Sequence, residues 1–143
     1  MRAVLDVNVL ISVLLSPRGS PARLLVAWQA GEFDLVVSPA LLEELARALT
    51  YPKLVPHIAP ADASAFVAWL ARSAVVAQDP EGVPPARSAD PDDDYLLALA
   101  SSERAILVSG DAHLTNLADR APVRTPAEFM ATLDAPRTSE LAP

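Results

Sequence analysis

The sequence contains no cysteine, and this absence removes several kinds of site at once. Disulfides, thiolate-bound zinc and cysteine nucleophiles are excluded, and a cytoplasmic location is the default expectation. Glycine is also scarce, because the chain has four, and none of them lies in a G-x-G-x-x-G or P-loop pattern. A glycine-rich phosphate loop is therefore excluded. A G-x-S-x-G serine motif is missing as well.

Long apolar runs and an excess of positive charge are also missing. The apolar stretch at 9–15 is interrupted by Ser12 and is shorter than the roughly 18 residues of a membrane span. Asp6 and Asn8 interrupt the N-terminal apolar residues, so a signal peptide and a membrane protein are not expected. The net charge of −7 and the pI of about 4.6 argue against a protein that coats nucleic acid electrostatically. They do not exclude an enzyme that holds a phosphodiester through metal ions, because bound cations reverse the local charge.

What the sequence does contain is a globular pattern of alternating strands and helices. A length of 143 residues with 52% hydrophobic residues suits one domain with a real core. The alternation predicts a three-layer α/β/α fold around a central parallel sheet, over 1–134, with a flexible tail at 135–143. Strands are predicted at 2–7, 33–37, 74–77, 105–109 and near 123. The first predicted helix has Ser20 as N-cap and Pro21 as its first residue, and Gly31 ends it; the same cap signal recurs at Ser38-Pro39, for a helix to 49, and at Thr125-Pro126, for the last helix. The other helices are predicted at 61–73, at 90–103 and after 111.

Acidic residues occur at the ends of two predicted strands. Asp6 lies near the end of the first strand, and Asp111 follows the strand at 105–109. In open α/β sheets, ligands bind beyond the carboxyl ends of the strands. The two carboxylates therefore predict one site.

The helix at 38–49 carries two adjacent glutamates in different positions. Glu43 falls opposite the apolar stripe and one turn before Arg47, in the i, i+4 arrangement of an exposed ion pair. Glu44 falls at the margin of the stripe, where a carboxylate needs a partner. A half-exposed surface glutamate is the simple alternative, and Glu44 is the better functional candidate of the two.

The segment DPDDDYLLALA, at 90–100, places four aspartates at the start of a helix. Asp90 suits the N-cap, and Asp92 and Asp94 gain from the positive end of the helix dipole. Asp93 shares its face with the apolar residues, so capping does not explain it. Four like charges so close repel one another unless a cation lies nearby.

A divalent cation would account for these acids. Mg²⁺ prefers oxygen ligands and is usually held by one or two protein carboxylates together with substrate phosphate. The predicted ligands are Asp6, Glu44, Asp93 and Asp111. Two such ions could assist an in-line phosphoryl displacement. His57 and His113 have no metal-ligand companion at useful spacing, although His113 could touch substrate, and Trp28 and Trp69 are most simply core or interface residues.

Several stretches together resemble the PIN-domain family, in particular its small stand-alone toxins of toxin–antitoxin systems. They are AVLDVNVLISVLLSPRGSPARLL, VVSPALLEELARALTYPKL, DPDDDYLLALA, AILVSGDAHL and RTPAEFMATL, which span about residues 3 to 133. The resemblance implies an α/β/α fold related to Rossmann-like folds and a Mg²⁺- or Mn²⁺-dependent endoribonuclease. In it, water activated by metal attacks an RNA phosphodiester. It also implies a homodimer and a cognate antitoxin that lies across the acidic site and offers an Arg.

The family's acidic site carries over onto this chain. The resemblance implies that Asp6, Glu44, Asp93 and Asp111 are the catalytic and metal-binding residues, with Asn8 and Ser109 in supporting roles. Two positions depart from the family's usual threonines. Ser109 keeps a hydroxyl, whereas Val7 loses one.

Other functions stay open at this point. A catalytically weak PIN fold that serves as a binding or scaffold module is one alternative, and its sign would be missing acids. An acid-pocket phosphatase would carry D-x-D at the first strand, where Asn8 breaks the pattern. A receiver domain needs a lysine at the end of its last strand, and the single lysine, Lys53, lies in mid-chain.

Overall fold

A computed structural model of the chain describes residues 1–81, 94–118 and 121–135. Within these ranges, five strands form one parallel sheet, and seven helices accompany them. The strands are β1 (Arg2–Leu5), β2 (Asp34–Val37), β3 (Val75–Val76), β4 (Ile106–Val108) and β5 (Val123–Arg124). The helices are α1 (Val7–Leu15), α2 (Ser20–Gln29), α3 (Pro39–Ala48), α4 (Pro60–Ser73), α5 (Asp94–Ser102), α6 (Ala112–Thr115) and α7 (Pro126–Asp134). The predicted α/β/α architecture is confirmed.

The order of the strands determines where a ligand can bind. The sheet runs β3-β2-β1-β4-β5, and every neighbouring pair is parallel. The chain moves outward from β1 to β2 and β3, then crosses to the other side of β1 to form β4 and β5. Such a reversal leaves a crevice beyond the carboxyl ends of the two central strands. Here these strands are β1 and β4, with Leu5 opposite Val108.

The two central strands are buried because helices cover the sheet. Val4, Leu5, Leu107 and Val108 have no exposed surface, as expected for a parallel strand without a polar face. Helix α5 packs on both β1 and β4, while α1 contacts α2 and α3. The apolar stretch at 9–15, which had no assigned structure, is helical and belongs to α1.

Capping residues end or begin several helices where the sequence predicted. The Ser38 hydroxyl accepts the Leu41 N–H at 3.2 Å and begins α3. Gly31, at φ +80°, follows α2 in the left-handed conformation that favours glycine. Helix α2 begins one residue earlier than predicted, since Gly19 is its N-cap and Ser20 is already helical.

The two tryptophans, predicted as core or interface residues, pack against the core. Trp28 and Trp69 are half-buried and lie 5.2 Å apart between ring centroids, so both pack against the core. Three predicted segments lie wholly or mostly outside the described residues. They are the start of the aspartate-rich helix at 90–93, most of the loop at 79–89, and all but the first residue of the tail at 135–143. In the described ranges no single helix is long and apolar enough to cross a membrane, although α1 and α2, bent by 97°, pass that test together by length and composition.

Candidate active site

Asp6 is the residue at which β1 becomes α1. Its N–H donates to the Val108 carbonyl at 3.0 Å, which extends the pairing of β1 with β4 by one residue. Its Oδ1 accepts the Val9 N–H at 2.8 Å and so caps α1. The residue is 4% exposed. Strand pairing and a helix cap therefore fix this carboxylate in the crevice between β1 and β4.

Ser109 connects Asp6 to the second acid of the crevice. Its hydroxyl donates to Asp6 Oδ2 and accepts the Asp111 N–H at 3.0 Å. Its own N–H donates to the Arg124 carbonyl at 2.9 Å, so β5 holds it in place. Ser109 has no exposed surface. The predicted position of this hydroxyl beside the acids is thus observed, and its supporting role stays a prediction.

Asp111 lies half-buried at the start of α6. Its Oδ1 accepts the His113 N–H at 2.8 Å, and His113 Nδ1 lies 3.7 Å from the same oxygen. His113 itself is exposed. The negative charge of Asp111 raises the pKa of Asp6, so the two carboxylates are near enough to interact electrostatically. Asp6 and Asp111 are the pair of acids that the sheet brings together.

The carboxylate of Asp6 is buried and lies near a second acid, and both features raise its pKa. Burial is the largest influence and raises the pKa of Asp6 above its ordinary value of 3.8. Hydrogen bonds from Ser109 and from the Val9 N–H lower that pKa, and the Asp111 charge raises it again. The net effect is a raised pKa, because desolvation outweighs the hydrogen bonds. A hard cation would compensate this charge, and a pair of carboxylates matches the donor set that Mg²⁺ prefers.

Glu44 lies on the side of α3. It is half-buried beside the buried Leu41 and Leu45, as its place at the margin of the apolar stripe predicted. Its Oε2 accepts a hydrogen bond from the Tyr95 hydroxyl on α5. Tyr95 is two residues after Asp93, which lies outside the described residues. Glu44 is therefore tied to the beginning of the helix that follows Asp93.

Convergence of all four acids on one ion stays a prediction. Among the described residues, no three histidine, aspartate or glutamate side chains are grouped closely enough to hold a metal. Asp6 and Asp111 form a pair, Glu44 contacts α5, and Asp93 is outside the described ranges.

The remaining residues named from the sequence lie around this pair. Asn8 is exposed and, with Asp111, lines an open cavity of about 340 Å³ beside α1. The backbone N–H of Asn8 also favours the ionised form of Asp6 and lowers its pKa. Val7, in place of the usual threonine, is 7% exposed and belongs to the hydrophobic core. His57 is exposed in the loop after α3 and contributes nothing to the crevice.

Two residues near the site had no role in the sequence-based predictions. Tyr95 could have been noticed, since it directly follows the aspartate run on the same helix. No pattern in the sequence indicated a role for Asp79. Its Oδ2 accepts the Ala40 N–H at 2.9 Å and so joins the segment after β3 to the start of α3. Its Oδ1 is buried without a hydrogen-bond partner in the described part of the chain.

Comparison with known proteins identifies the family of the chain. The family model for the PIN domain matches residues 2–113, which is most of the chain. The chain belongs to the PIN-domain family. PIN domains are generally nucleases that typically use divalent metals. The chain is also 27% identical over 141 residues to MJ1680, an uncharacterized protein of Methanocaldococcus jannaschii, with 91% of this chain and 90% of that protein covered.

Proposed function

We propose that this PIN domain is a Mg²⁺- or Mn²⁺-dependent endoribonuclease. The observation that carries the proposal is the pair of carboxylates at the crevice between β1 and β4, where Asp6 is buried, Asp111 lies close and Ser109 contacts both. The proposed metal ligands are Asp6, Glu44, Asp93 and Asp111, with Asn8 and Ser109 in supporting roles. Asp93 lies outside the described residues, and it is proposed as a ligand because of its place in the family motif.

Hydrolysis of a phosphodiester joins a water oxygen to phosphorus and breaks the bond to one ribose oxygen, which takes up a proton. When bound, a divalent cation supplies positive charge for the phosphate oxygens and acidifies a nearby water. The chain contributes carboxylates in fixed positions that would bind this cation. Ser109 orients Asp6 and stabilises its ionised form, since its hydrogen bond lowers the pKa of Asp6. The Val9 N–H prevents the Asp6 carboxylate from turning away.

Cleavage of a mixed RNA pool tests the proposal. Wild type should cleave RNA with Mg²⁺ or Mn²⁺ and should stop when EDTA is added. Asp111→Asn should reduce cleavage to the EDTA level, because it removes one of the paired carboxylates. The matched control is Asp62→Asn, an equal change of charge at an exposed position in the first turn of α4, which should cleave as wild type does.

Two results would contradict the assignment. Full activity of Asp111→Asn, or cleavage by wild type in EDTA, would show that the paired acids are not the catalytic site. A wild type that binds Mn²⁺ in calorimetry but cleaves no RNA would instead favour the binding-module alternative.

We also propose that the nuclease is the toxin of a toxin–antitoxin pair and that it forms a homodimer. The support is the resemblance to the small stand-alone PIN toxins, together with the neighbouring carboxylates of Asp6 and Asp111, which would attract an antitoxin Arg. Inspection of the neighbouring reading frame tests the first proposal, and light scattering of the purified protein tests the second. Absence of an adjacent antitoxin gene, or a monomeric mass, would count against each in turn.

A further inference from the structure

A groove on α3 includes Glu44 and shares no lining residue with the cavity at Asn8 and Asp111. Its volume is about 450 Å³, and it is lined by Ala40, Glu43, Glu44, Arg47, Tyr51 and Tyr95. The chain has two tyrosines, and both line this groove. The proposed metal-binding role of Glu44 accounts for one wall of the groove but not for the aromatic and cationic side chains beside it.

Tyr51 presents its ring to solvent from a fixed backbone. The residue is 46% exposed. Its N–H donates to the Ala48 carbonyl at 3.1 Å, and its carbonyl accepts the Leu54 N–H at 2.9 Å. An exposed ring adds little to the core, whereas exposed aromatic faces are the platforms on which proteins stack unpaired nucleobases.

Arg47 lines the same groove as Tyr51 and has no carboxylate partner among the described residues. The sequence predicted an ion pair with Glu43, but in the described part of the chain no carboxylate lies within 4 Å of the Arg47 guanidinium, and the predicted pair is not formed. The planar guanidinium suits bidentate contact with a phosphate. In a chain with a net charge of −7, an uncommitted arginine beside two tyrosines favours a polyanionic ligand with aromatic bases.

The groove is close enough to Glu44 for one substrate to reach both. Arg47 is three residues after Glu44, or about 4.5 Å along the axis of α3. The Tyr95 hydroxyl contacts Glu44 directly. We propose that the groove is a nucleobase subsite, in which Tyr51 stacks on an unpaired base near the scissile phosphate and Arg47 pairs with a neighbouring phosphate. This inference rests on the proposed ribonuclease function and adds the residues that hold the substrate.

Substitutions at Tyr51 and Arg47 test the subsite. With Mn²⁺ and a labelled single-stranded RNA, Tyr51→Ala should raise KM about tenfold and leave kcat within a fewfold, because base stacking is lost. Tyr51→Phe keeps the stacking ring and should raise KM much less than Tyr51→Ala does. Arg47→Gln should also raise KM and should lower the slope of log affinity against log salt by about one. The matched control is Arg72→Gln, which changes an exposed arginine in the last turn of α4.

A binding measurement separates failure of the subsite from failure of the ribonuclease assignment. Fluorescence anisotropy with the same RNA is repeated in an Asp6→Asn background, where cleavage is blocked, with each groove substitution added. If wild type cleaves RNA but Tyr51→Ala changes neither KM nor the dissociation constant, the subsite is wrong and the nuclease stands. If wild type cleaves nothing, the nuclease is wrong and the anisotropy still decides the subsite. Equal weakening by Tyr51→Ala and Tyr51→Phe, or no RNA binding by the background protein, would also overturn the subsite.

Discussion

The crevice at Asp6 and the groove at Glu44 both carry acids, but they are held in different ways. In the crevice, backbone groups fix the acids, since Asp6 is paired with β4 and caps α1. In the groove, one side chain holds another, since Tyr95 contacts Glu44 at a half-exposed position. A backbone-fixed site is pre-organised and desolvated, which suits chemistry on a phosphate. Side chains at a partly open groove can adjust to a ligand, which suits recognition.

The largest expected effect comes from neutralising the buried acid of the crevice. Asp6→Asn should lower metal-dependent RNA cleavage to the level measured in EDTA. The same change should raise the melting temperature of the metal-free protein at neutral pH, because it removes a charge whose burial is unfavourable. Calorimetry in EDTA and an RNA cleavage assay measure the two effects.

Asp62→Asn is the matched control for this experiment, since Asp62 is exposed. It should change neither activity nor stability appreciably. If Asp6→Asn lowers the melting temperature by several degrees, the carboxylate is favourable to folding and its capping bond to Val9 outweighs the cost of burial.

A smaller effect is expected when the link between the two acids is cut. Ser109→Ala should lower kcat/KM about 10- to 100-fold, as loss of a residue that orients a metal ligand commonly does. It removes a bond that lowers the pKa of Asp6, so the acid limb of the pH–rate profile should move to higher pH. Folding should be destabilised by about 1–3 kcal/mol, because buried groups lose their partner.

Ser102→Ala supplies the comparison for this substitution. Its exposed hydroxyl donates to the Leu99 carbonyl at 3.3 Å, at the end of α5 and before β4 begins. Activity of this variant should match wild type. An unchanged pH–rate profile for Ser109→Ala would show that the serine is structural alone.

In the groove, loss of the phenolic hydroxyl should cost less. Tyr95→Phe removes the bond to Glu44 while keeping the ring, and kcat should fall by less than about tenfold because a half-exposed hydrogen bond contributes about 1 kcal/mol. If Tyr95 acts through Glu44, adding Glu44→Gln to Tyr95→Phe should cost no more than Glu44→Gln alone. If the effects of the two substitutions on kcat add fully in this double-mutant cycle, Tyr95 does not act through Glu44. Glu32→Gln, at an exposed position after α2, is the charge-matched control.

The smallest expected effect is a pH dependence of the metal-free stability. A raised pKa in the folded state means that folded Asp6 binds its proton more tightly than unfolded Asp6 does. The resulting stabilisation is fully present below the ordinary value of 3.8 and is lost as pH rises through the folded pKa. The free energy of unfolding of wild type minus that of Asp6→Asn should therefore fall with rising pH. Chemical denaturation in EDTA across this range measures it, and a difference that rises with pH would contradict the raised pKa.

The sequence predicted most of the fold because its signals are local. Capping by Ser38 and Thr125, the left-handed Gly31 and the apolar runs of β1 and β4 depend on a few neighbouring residues, and each was found where expected. Helical periodicity likewise placed Glu44 at the edge of the buried face. The ends of strands also brought Asp6 and Asp111 together, since parallel strands share one edge.

What the sequence did not reveal depends on contacts between distant residues. Asp79 meets Ala40, and Tyr95 meets Glu44, across separations of 39 and 51 residues. No periodicity or cap signal records such pairs. The ion pair between Glu43 and Arg47 is a local pair that was predicted but is not formed. Correct spacing on an exposed helix makes such a pair possible without making it favourable.

The position of the crevice in the strand ladder has a consequence for regulation. The amides of Asp6 and Ser109 are bonded to the neighbouring strands β4 and β5, in the most buried part of the sheet. Such amides exchange their hydrogens with solvent chiefly when the whole domain unfolds. We therefore expect Asp6 and Ser109 to keep their positions for as long as the domain stays folded. If the proposed nuclease activity is regulated, we expect the control to act from outside the crevice, through the supply of metal or through a molecule that covers it.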